Sequence, residues 1–504
     1  VSFEVGTGPR GPAPTWNGRR LTSAYDPARE AQSWADGLTI AAGALVFVAG
    51  DPLGWAAQAL EKRGAKAVSL LPGSGARPWI DPALQAWSPQ DGPLEAFLEE
   101  VFDRWGPEAV VWEVWPAFER LAPEVALDWG RRFRDFYRTV QGSWLTQNRF
   151  GRRFWRNSVR NTLDWDHPIR LTAGNRPVVI AASGPSLDDG LAFLTRGRHR
   201  FDLWALPSSF ETLIRRGLVP DAGVATDGGF YAREHLQRLA GTEVPMLAAL
   251  SSAPDPVLAA RPCLFFSQGM PVEQALLTAL MPSFPEVPSQ GTVAVTALRL
   301  ALEATTGPVF IAGLDLAFRD LRGHTSPHTV DRRFETLQDR LAPEESLWAQ
   351  RLFDQATVVH EGVRTSPALL TYAGWFRTRA RFSRPVFRIA PSPLRWGTMT
   401  EVGWPQAEAL WNGHPGQRAG VWTTPSSWPD RSARRRAVLK SLDDLAARAE
   451  APGRNGPWLT EAAKTAVPEA LREDFRILRR GGEALGAQAA LRSFLEELRE
   501  DLGP

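Results

Sequence analysis

The sequence predicts an α/β protein: two Rossmann-like parallel-sheet domains joined by a helical connector, followed by a small all-helical C-terminal domain. Three observations predict this. Short buried-looking apolar runs alternate with amphipathic stretches of helix length, the pattern of βαβ units. The alternation occurs twice, on either side of an arginine- and aromatic-rich helical stretch. After residue 400 the strand signals stop and helical periodicity remains. A chain of 504 residues has room for two to four domains at roughly 100–200 residues each.

Residues 1–20, rich in Gly, Pro and Arg, read as an irregular arm. The first sheet domain is expected over 21–123. Its strands are Ala44-Leu-Val-Phe-Val-Ala-Gly50, Lys66-Ala-Val-Ser-Leu-Leu-Pro72 and Ala109-Val-Val-Trp-Glu-Val114, with helices from Trp55 and from Leu94. The turn Gly50-Asp-Pro-Leu-Gly-Trp55 lacks the G-x-G-x-x-G spacing that lets backbone approach a pyrophosphate, and no carboxylate ends the second strand to hold a ribose. The domain is expected to be Rossmann-shaped without a site for NAD or S-adenosylmethionine.

Residues 124–170 form the connector. Nine arginines from Arg131 to Arg160 interleave with Phe133, Phe136, Tyr137, Trp144, Phe150, Phe154 and Trp155. Such a stretch either stacks bases or buries its rings while arginine stems cover apolar surface; the second reading is the expected one. The second sheet domain follows over 171–400, with strands near 177–183, 201–206, 222–226, 244–250, 262–266 and 308–313. Residues 401–504 read as the helical C-terminal domain.

Composition excludes several classes. With 43% hydrophobic and 23% charged residues the chain is globular rather than disordered. Fifty-eight basic against 56 acidic residues, a net charge of +2, argue against a nucleic-acid partner. The single Cys263 excludes a disulfide framework and a cysteine-built zinc site. No apolar run reaches the roughly 20 residues of a membrane span, and no secretory signal is expected. A cytoplasmic location without membrane attachment is expected.

Ligands of a parallel sheet gather at the carboxyl ends of its strands. In the second domain the first strand ends in Gly184-Pro185-Ser186-Leu187 before a helix start, where glycine admits close backbone approach and the helix terminus favours an anion; a plain tight turn would read the same. The third strand ends in Asp227-Gly228-Gly229, a ligand position or a helix cap. Ser289-Gln290-Gly291-Thr292 precedes a long helix. The sixth strand runs into Gly313-Leu-Asp315, followed by His324-Thr-Ser-Pro-His328. Pro327 interrupts a regular helix there, which disfavours a zinc pair; an imidazole as proton acceptor or phosphate ligand fits better.

Taken in order these segments are recognisable. The run Val178-Val-Ile-Ala-Ala-Ser-Gly-Pro-Ser-Leu187 resembles the G-P-S-L turn of the motility-associated factor (Maf) flagellin glycosyltransferases and of the MptE-like 6-hydroxymethylpterin diphosphokinases. Asn157 and Asn161, Pro220-Asp221 to Asp227, Gly291-Thr-Val-Ala-Val-Thr-Ala297, Gly313-Leu-Asp-Leu-Ala-Phe318, His324 and Thr365-Ser-Pro-Ala-Leu-Leu-Thr-Tyr372 resemble later family motifs. Gly228-Gly229 and Leu314 depart from the family pattern. The central domain is also similar to bacterial sialyltransferases that use CMP-sugars.

The resemblance implies transfer of a nonulosonic acid of pseudaminic or legionaminic type from CMP to Ser or Thr of flagellin, with no metal or further cofactor. His324, His328 and Asp227 would be catalytic. Gly184, Pro185, Ser186, Leu187, Asp227, Ser289, Gln290, Gly291, Thr292, Asp315, Thr365 and Tyr372 would bind nucleotide or sugar. Two alternatives stand beside this: an MptE-like diphosphotransferase using ATP and Mg²⁺ held by Asp227 and Asp315, and a non-catalytic flagellin-binding factor.

Overall fold

The computed structural model describes residues 3–8, 11–289, 291–355, 358–378, 382–392, 394, 399–414, 416, 423–450 and 457–503. The chain divides into two compact units, Val1–Gly151 with Ala446–Glu497, and Arg152–Leu445 with Leu498–Pro504. Each contains a parallel sheet with helices, the fold class the sequence predicts.

In the first unit the arm expected to be irregular is instead a three-stranded antiparallel sheet of β1 (Phe3–Gly8), β2 (Gly11–Trp16) and β3 (Arg19–Arg20). Pro12 and Pro14 are two residues apart, so both missing N–H groups fall on the same edge of β2. The Pro14 carbonyl on that edge accepts from Leu21, and the opposite edge keeps its donors for β1.

A parallel sheet follows in the order β6-β5-β4-β7, from β4 (Leu45–Ala49), β5 (Lys66–Leu70), β6 (Gln85–Trp87) and β7 (Val110–Val114). All five residues of β4 are buried, hence its unbroken apolar run. At its end Gly50 adopts φ +75°, and a Cβ there would lie 2.1 Å from the ring of Phe118. The buried Asp51 carboxylate accepts from the N–H groups of Gly54 at 3.0 Å and Ala57 at 2.9 Å. Burial raises its pKa to about 6 against the pull of those donors. A phosphate at the start of the helix Trp55–Lys62 would meet a carboxylate already in its place.

The residues after 400 do not gather into one separate helical body. The helices Pro457–Ala466 and Pro468–Arg479, split by Pro468, belong to the first unit. There the buried Arg479 guanidinium donates to the carbonyls of Trp105, Gly106 and Glu108, holding the exposed end of the helix Leu94–Trp105. Desolvation lowers its pKa to about 10. The long helix Pro123–Leu163 forms as expected, and its Phe133 and Phe136 lie in the first unit's core with Phe47 and Phe102. Those rings are unavailable to bases.

The second unit is built on eight parallel strands: β8 (Val178–Ala181), β9 (Asp202–Ala205), β10 (Ala222–Ala225), β11 (Met246–Ala249), β12 (Cys263–Phe266), β13 (Val309–Ala312), β16 (Val386–Ala390) and β17 (Thr400–Gly403). A small hairpin, β14 (Val358–His360) with β15 (Val363–Thr365), precedes the last two. The sheet order is β12-β11-β10-β9-β8-β13-β16-β17. The chain winds outward from β8 to β12, then returns to place β13 on the other side of β8. That reversal opens a crevice at the carboxyl ends of β8 and β13, where doubly wound sheets bind ligands. Among the described residues no helix is long and apolar enough to cross a membrane.

Candidate functional site

The G-P-S-L turn and the Asp315 segment meet at this crevice. Gly184 donates its N–H to the Gly313 carbonyl at 2.7 Å. Ser186 donates both its N–H, at 2.7 Å, and its hydroxyl to the Asp315 carboxylate. Ser392 donates to the same carboxylate at 3.2 Å, and Arg388 donates to the neighbouring Leu314 carbonyl at 2.9 Å. Asp315 is 2% exposed, and its pKa is raised by burial against these donors. It is an internal anchor, and its carboxylate takes the helix-start position that a nucleotide phosphate was expected to fill.

Glycine is needed at 184 for the same reason. A Cβ there would lie 2.5 Å from the Gly313 carbonyl oxygen and 2.7 Å from the Asp315 carboxylate. Pro185, Ser186 and Leu187 are buried, so a ligand can meet this turn only at Gly184, and the residue before it is buried as well.

That residue is Ser183, and it reaches the histidines. His324 Nδ1 lies 3.1 Å from the Ser183 hydroxyl, which also accepts from Ser208 at 2.7 Å. Desolvation, then Arg351 and His235, lower the His324 pKa to about 4, opposed by a hydrogen bond with the Ser183 backbone. The imidazole is therefore neutral near pH 7. In the tautomer whose Nδ1–H donates to Ser183, Nε2 is the nitrogen left to take a proton from a substrate hydroxyl.

His328 has a different part. Its Nδ1 accepts the Val330 N–H at 3.1 Å, capping the helix Thr329–Leu337, while Asp331 accepts the His328 N–H at 2.8 Å. An accepting Nδ1 puts the ring proton on Nε2, and His328 is 2% exposed with its pKa lowered to about 2 by desolvation and the neighbouring histidines. It has no basic nitrogen to offer, so its expected catalytic role is corrected to that of a helix cap.

A third histidine escaped the sequence reading. His235, on the short helix Ala232–Leu236, lies 5.4 Å from the His328 ring and bonds Thr329 Oγ1 at 2.9 Å. Its signal was available only as a histidine soon after the Asp227-Gly-Gly turn. Burial lowers its pKa.

Asp227 is exposed and accepts the Gly229 N–H at 2.7 Å. The turn beneath it is fixed by the buried Asn157, whose amide donates to the Gly228 and Ser251 carbonyls at 3.1 and 3.0 Å. Asn161 donates likewise to Leu250 and Ser252, both at 2.8 Å. These two asparagines hold the carboxyl ends of β10 and β11.

Asp227 and Asp315 follow strands three places apart in the sheet, about 14 Å at 4.7–4.9 Å per strand, and Asp315 is enclosed. They do not form the shared metal site of the diphosphotransferase alternative. No group of three His, Cys, Asp or Glu side chains among the described residues is placed to hold a metal.

Ser289 and Gly291 are exposed, and Thr292 caps the helix Val293–Ala304; Gln290 lies outside the described residues. That helix leads into parallel β13, so its start faces the carboxyl edge of the sheet. Thr365 is fully buried and donates to the Leu316 carbonyl at 2.8 Å, which makes it a support for the segment after Asp315 rather than a ligand contact. Tyr372 is half-buried on the helix Pro367–Thr378.

Comparison with known proteins follows this geometry. Residues 153–321 match the family described as 6-hydroxymethylpterin diphosphokinase MptE-like; the stretch includes Gly184, Asp227 and Asp315 and stops before His324. An uncharacterized protein of Treponema pallidum (strain Nichols) is 28% identical over 242 residues, 47% of this chain and 50% of that protein. The chain thus spans about half the length of the curated relative it matches. The structure of MAf glycosyltransferase from Magnetospirillum magneticum AMB-1 superimposes with a TM-score of 0.50 at 13% identity, covering 100% of this chain and 90% of that one. At that identity the likeness is one of fold. Residues 153–321 thus resemble the MptE-like family, within a chain that shares its fold with a MAf glycosyltransferase.

Proposed function

We propose that the chain is a glycosyltransferase that moves a nonulosonic acid from its CMP ester to a Ser or Thr hydroxyl of flagellin. The observation that carries this reading is the neutral His324 at the crevice, hydrogen-bonded to Ser183 and beside the Gly184 turn. In the reaction the bond from the anomeric carbon to the phosphate oxygen breaks and CMP leaves with the electron pair. The acceptor oxygen bonds to that carbon, and its proton passes to His324 Nε2. A pKa of about 4 makes a weak base in the free protein. An anionic donor nearby raises it, since opposite charge favours the imidazolium. The reading needs no metal. It is supported by the shared fold, and the enclosed Asp315 disfavours ATP–Mg²⁺ chemistry.

The test is incubation of the full chain with flagellin and, separately, CMP-pseudaminate, CMP-legionaminate and CMP-N-acetylneuraminate, reading flagellin by intact mass. Addition of one sugar mass per modified site is expected with at least one donor. No addition from any of the three, with CMP bound normally, would leave a non-catalytic binding role.

A further inference from the structure

An anionic ligand in the crevice cannot use the amides of the G-P-S-L turn, because Asp315 holds the Ser186 N–H. It must find its cations elsewhere. Following the carboxyl edge of the sheet, Ser183 meets His324, His324 stacks on His328 at 4.4 Å, and His328 neighbours His235 at 5.4 Å. This line runs from the end of β8 to the segment after β10, two strand spacings or about 10 Å.

At its far end stand two aromatic rings. Phe230 is 64% and Tyr231 61% exposed, and they meet edge to face at 5.9 Å. Each has a guanidinium over its ring, Arg233 at 5.7 Å from Phe230 and Arg333 at 5.6 Å from Tyr231. Desolvation and then the neighbouring Arg333 lower the pKa of Arg351, and Arg351 in turn helps to lower that of His324. None of these three arginines makes an ion pair among the described residues, whereas Arg215, Arg238 and Arg332 of the same region are all taken by the buried Glu211. Large rings exposed to water at a ligand-binding edge, with unpaired cations beside them, complement a flat heterocycle carrying a phosphate.

We propose that Phe230, Tyr231, Arg233 and Arg333 form the subsite for a nucleoside monophosphate, its base on the two rings and its phosphate toward Arg333 and Arg351. This rests on the transferase reading, because it supplies the nucleotide end of the donor and brings the phosphate-linked carbon toward His324.

The experiment is calorimetric titration of the full chain with CMP, cytidine and inorganic phosphate, for the wild type and for F230A, Y231A and R333Q. Both rings are exposed, so the variants are expected to fold, and thermal melts verify it. Each aromatic variant should weaken CMP and cytidine about tenfold. R333Q should weaken CMP and phosphate but not cytidine. If wild type binds CMP and F230A and Y231A bind it within about twofold, the subsite is overturned while the transferase reading stands. If wild type does not bind CMP, both fall. If the variants keep CMP affinity but lose flagellin modification, the surface belongs to the polypeptide acceptor and the nucleotide assignment is wrong.

Discussion

The rings of His324 and His328 stack with centroids 4.4 Å apart and planes 6° from parallel, yet only one of them has a nitrogen free for proton transfer. His328 gives its Nδ1 lone pair to the Val330 N–H, while His324 Nδ1 meets only Ser183, and in the tautomer that donates there Nε2 stays basic. Single substitutions should separate the two. His324→Ala should cut sugar transfer by roughly 10²–10⁴, the usual size of a general-base contribution. His328→Asn, which keeps an acceptor for the helix cap, should leave turnover within about tenfold. Equal losses in two folded variants would show that the stack acts as a unit.

The same pair sets a dependence of stability on pH. Folding lowers the His324 pKa from 6.5 to about 4, so the unfolded chain binds the proton more readily. The stabilisation is whole above about pH 6.5 and is lost as pH falls toward 4, about 3 kcal/mol for this residue at 1.36 kcal/mol per unit. Asp51 works in the opposite sense, because its folded pKa is raised to about 6. The contribution of His324 is therefore read as a difference. Urea denaturation of wild type and His324→Asn between pH 4 and 7 should give curves that converge at the acidic end. Parallel curves would mean that the imidazole is not held neutral by the fold.

Gly184→Val should destabilise the chain with no ligand present. The new Cβ falls 2.5 Å from the Gly313 carbonyl oxygen, and overpacking of this kind typically costs about 1–3 kcal/mol. A lower denaturation midpoint with an unchanged slope is the expected result. An unchanged midpoint together with weakened CMP binding would instead place the ligand against this glycine.

Asn157 offers a test by charge and shape. Asn157→Ala leaves the carbonyls of Gly228 and Ser251 without their donor, about 1–3 kcal/mol for each group that stays dry. Asn157→Asp keeps the shape but turns a carboxylate toward two carbonyl oxygens, and it should be worse than alanine. Thermal melts rank the two variants, and aspartate melting above alanine would contradict the amide's role as donor to both carbonyls.

Much of the second sheet is legible because its central strands are buried on both faces and read as short apolar runs. Val178–Ala181 and Val309–Ala312 could be placed by eye, and so could the glycines and Asp315 that follow them. Their adjacency could not. The Ser186–Asp315 contact joins residues 129 apart in sequence, and only the strand order brings them together. Strand β16 escaped because the buried Arg388 interrupts its apolar pattern. The short arm escaped because its prolines mask a two-residue alternation. His328 was misjudged because a histidine seldom caps a helix, and His235 because its partners come from a segment 94 residues away.

The position of β8 at the middle of its sheet also matters during synthesis. Residues 178–266 supply five neighbouring strands, β8 to β12, in simple succession, so they can pair as they leave the ribosome. The turn at Ser186 then waits for Asp315, roughly 6–26 s at 5–20 residues per second. Through that interval one edge of β8 is open and the turn's hydroxyl and N–H have only water as partner. A chain that stalls in this window presents an unpaired apolar edge to its neighbours. Chaperone demand and aggregation should therefore peak in nascent chains that end between β12 and β13.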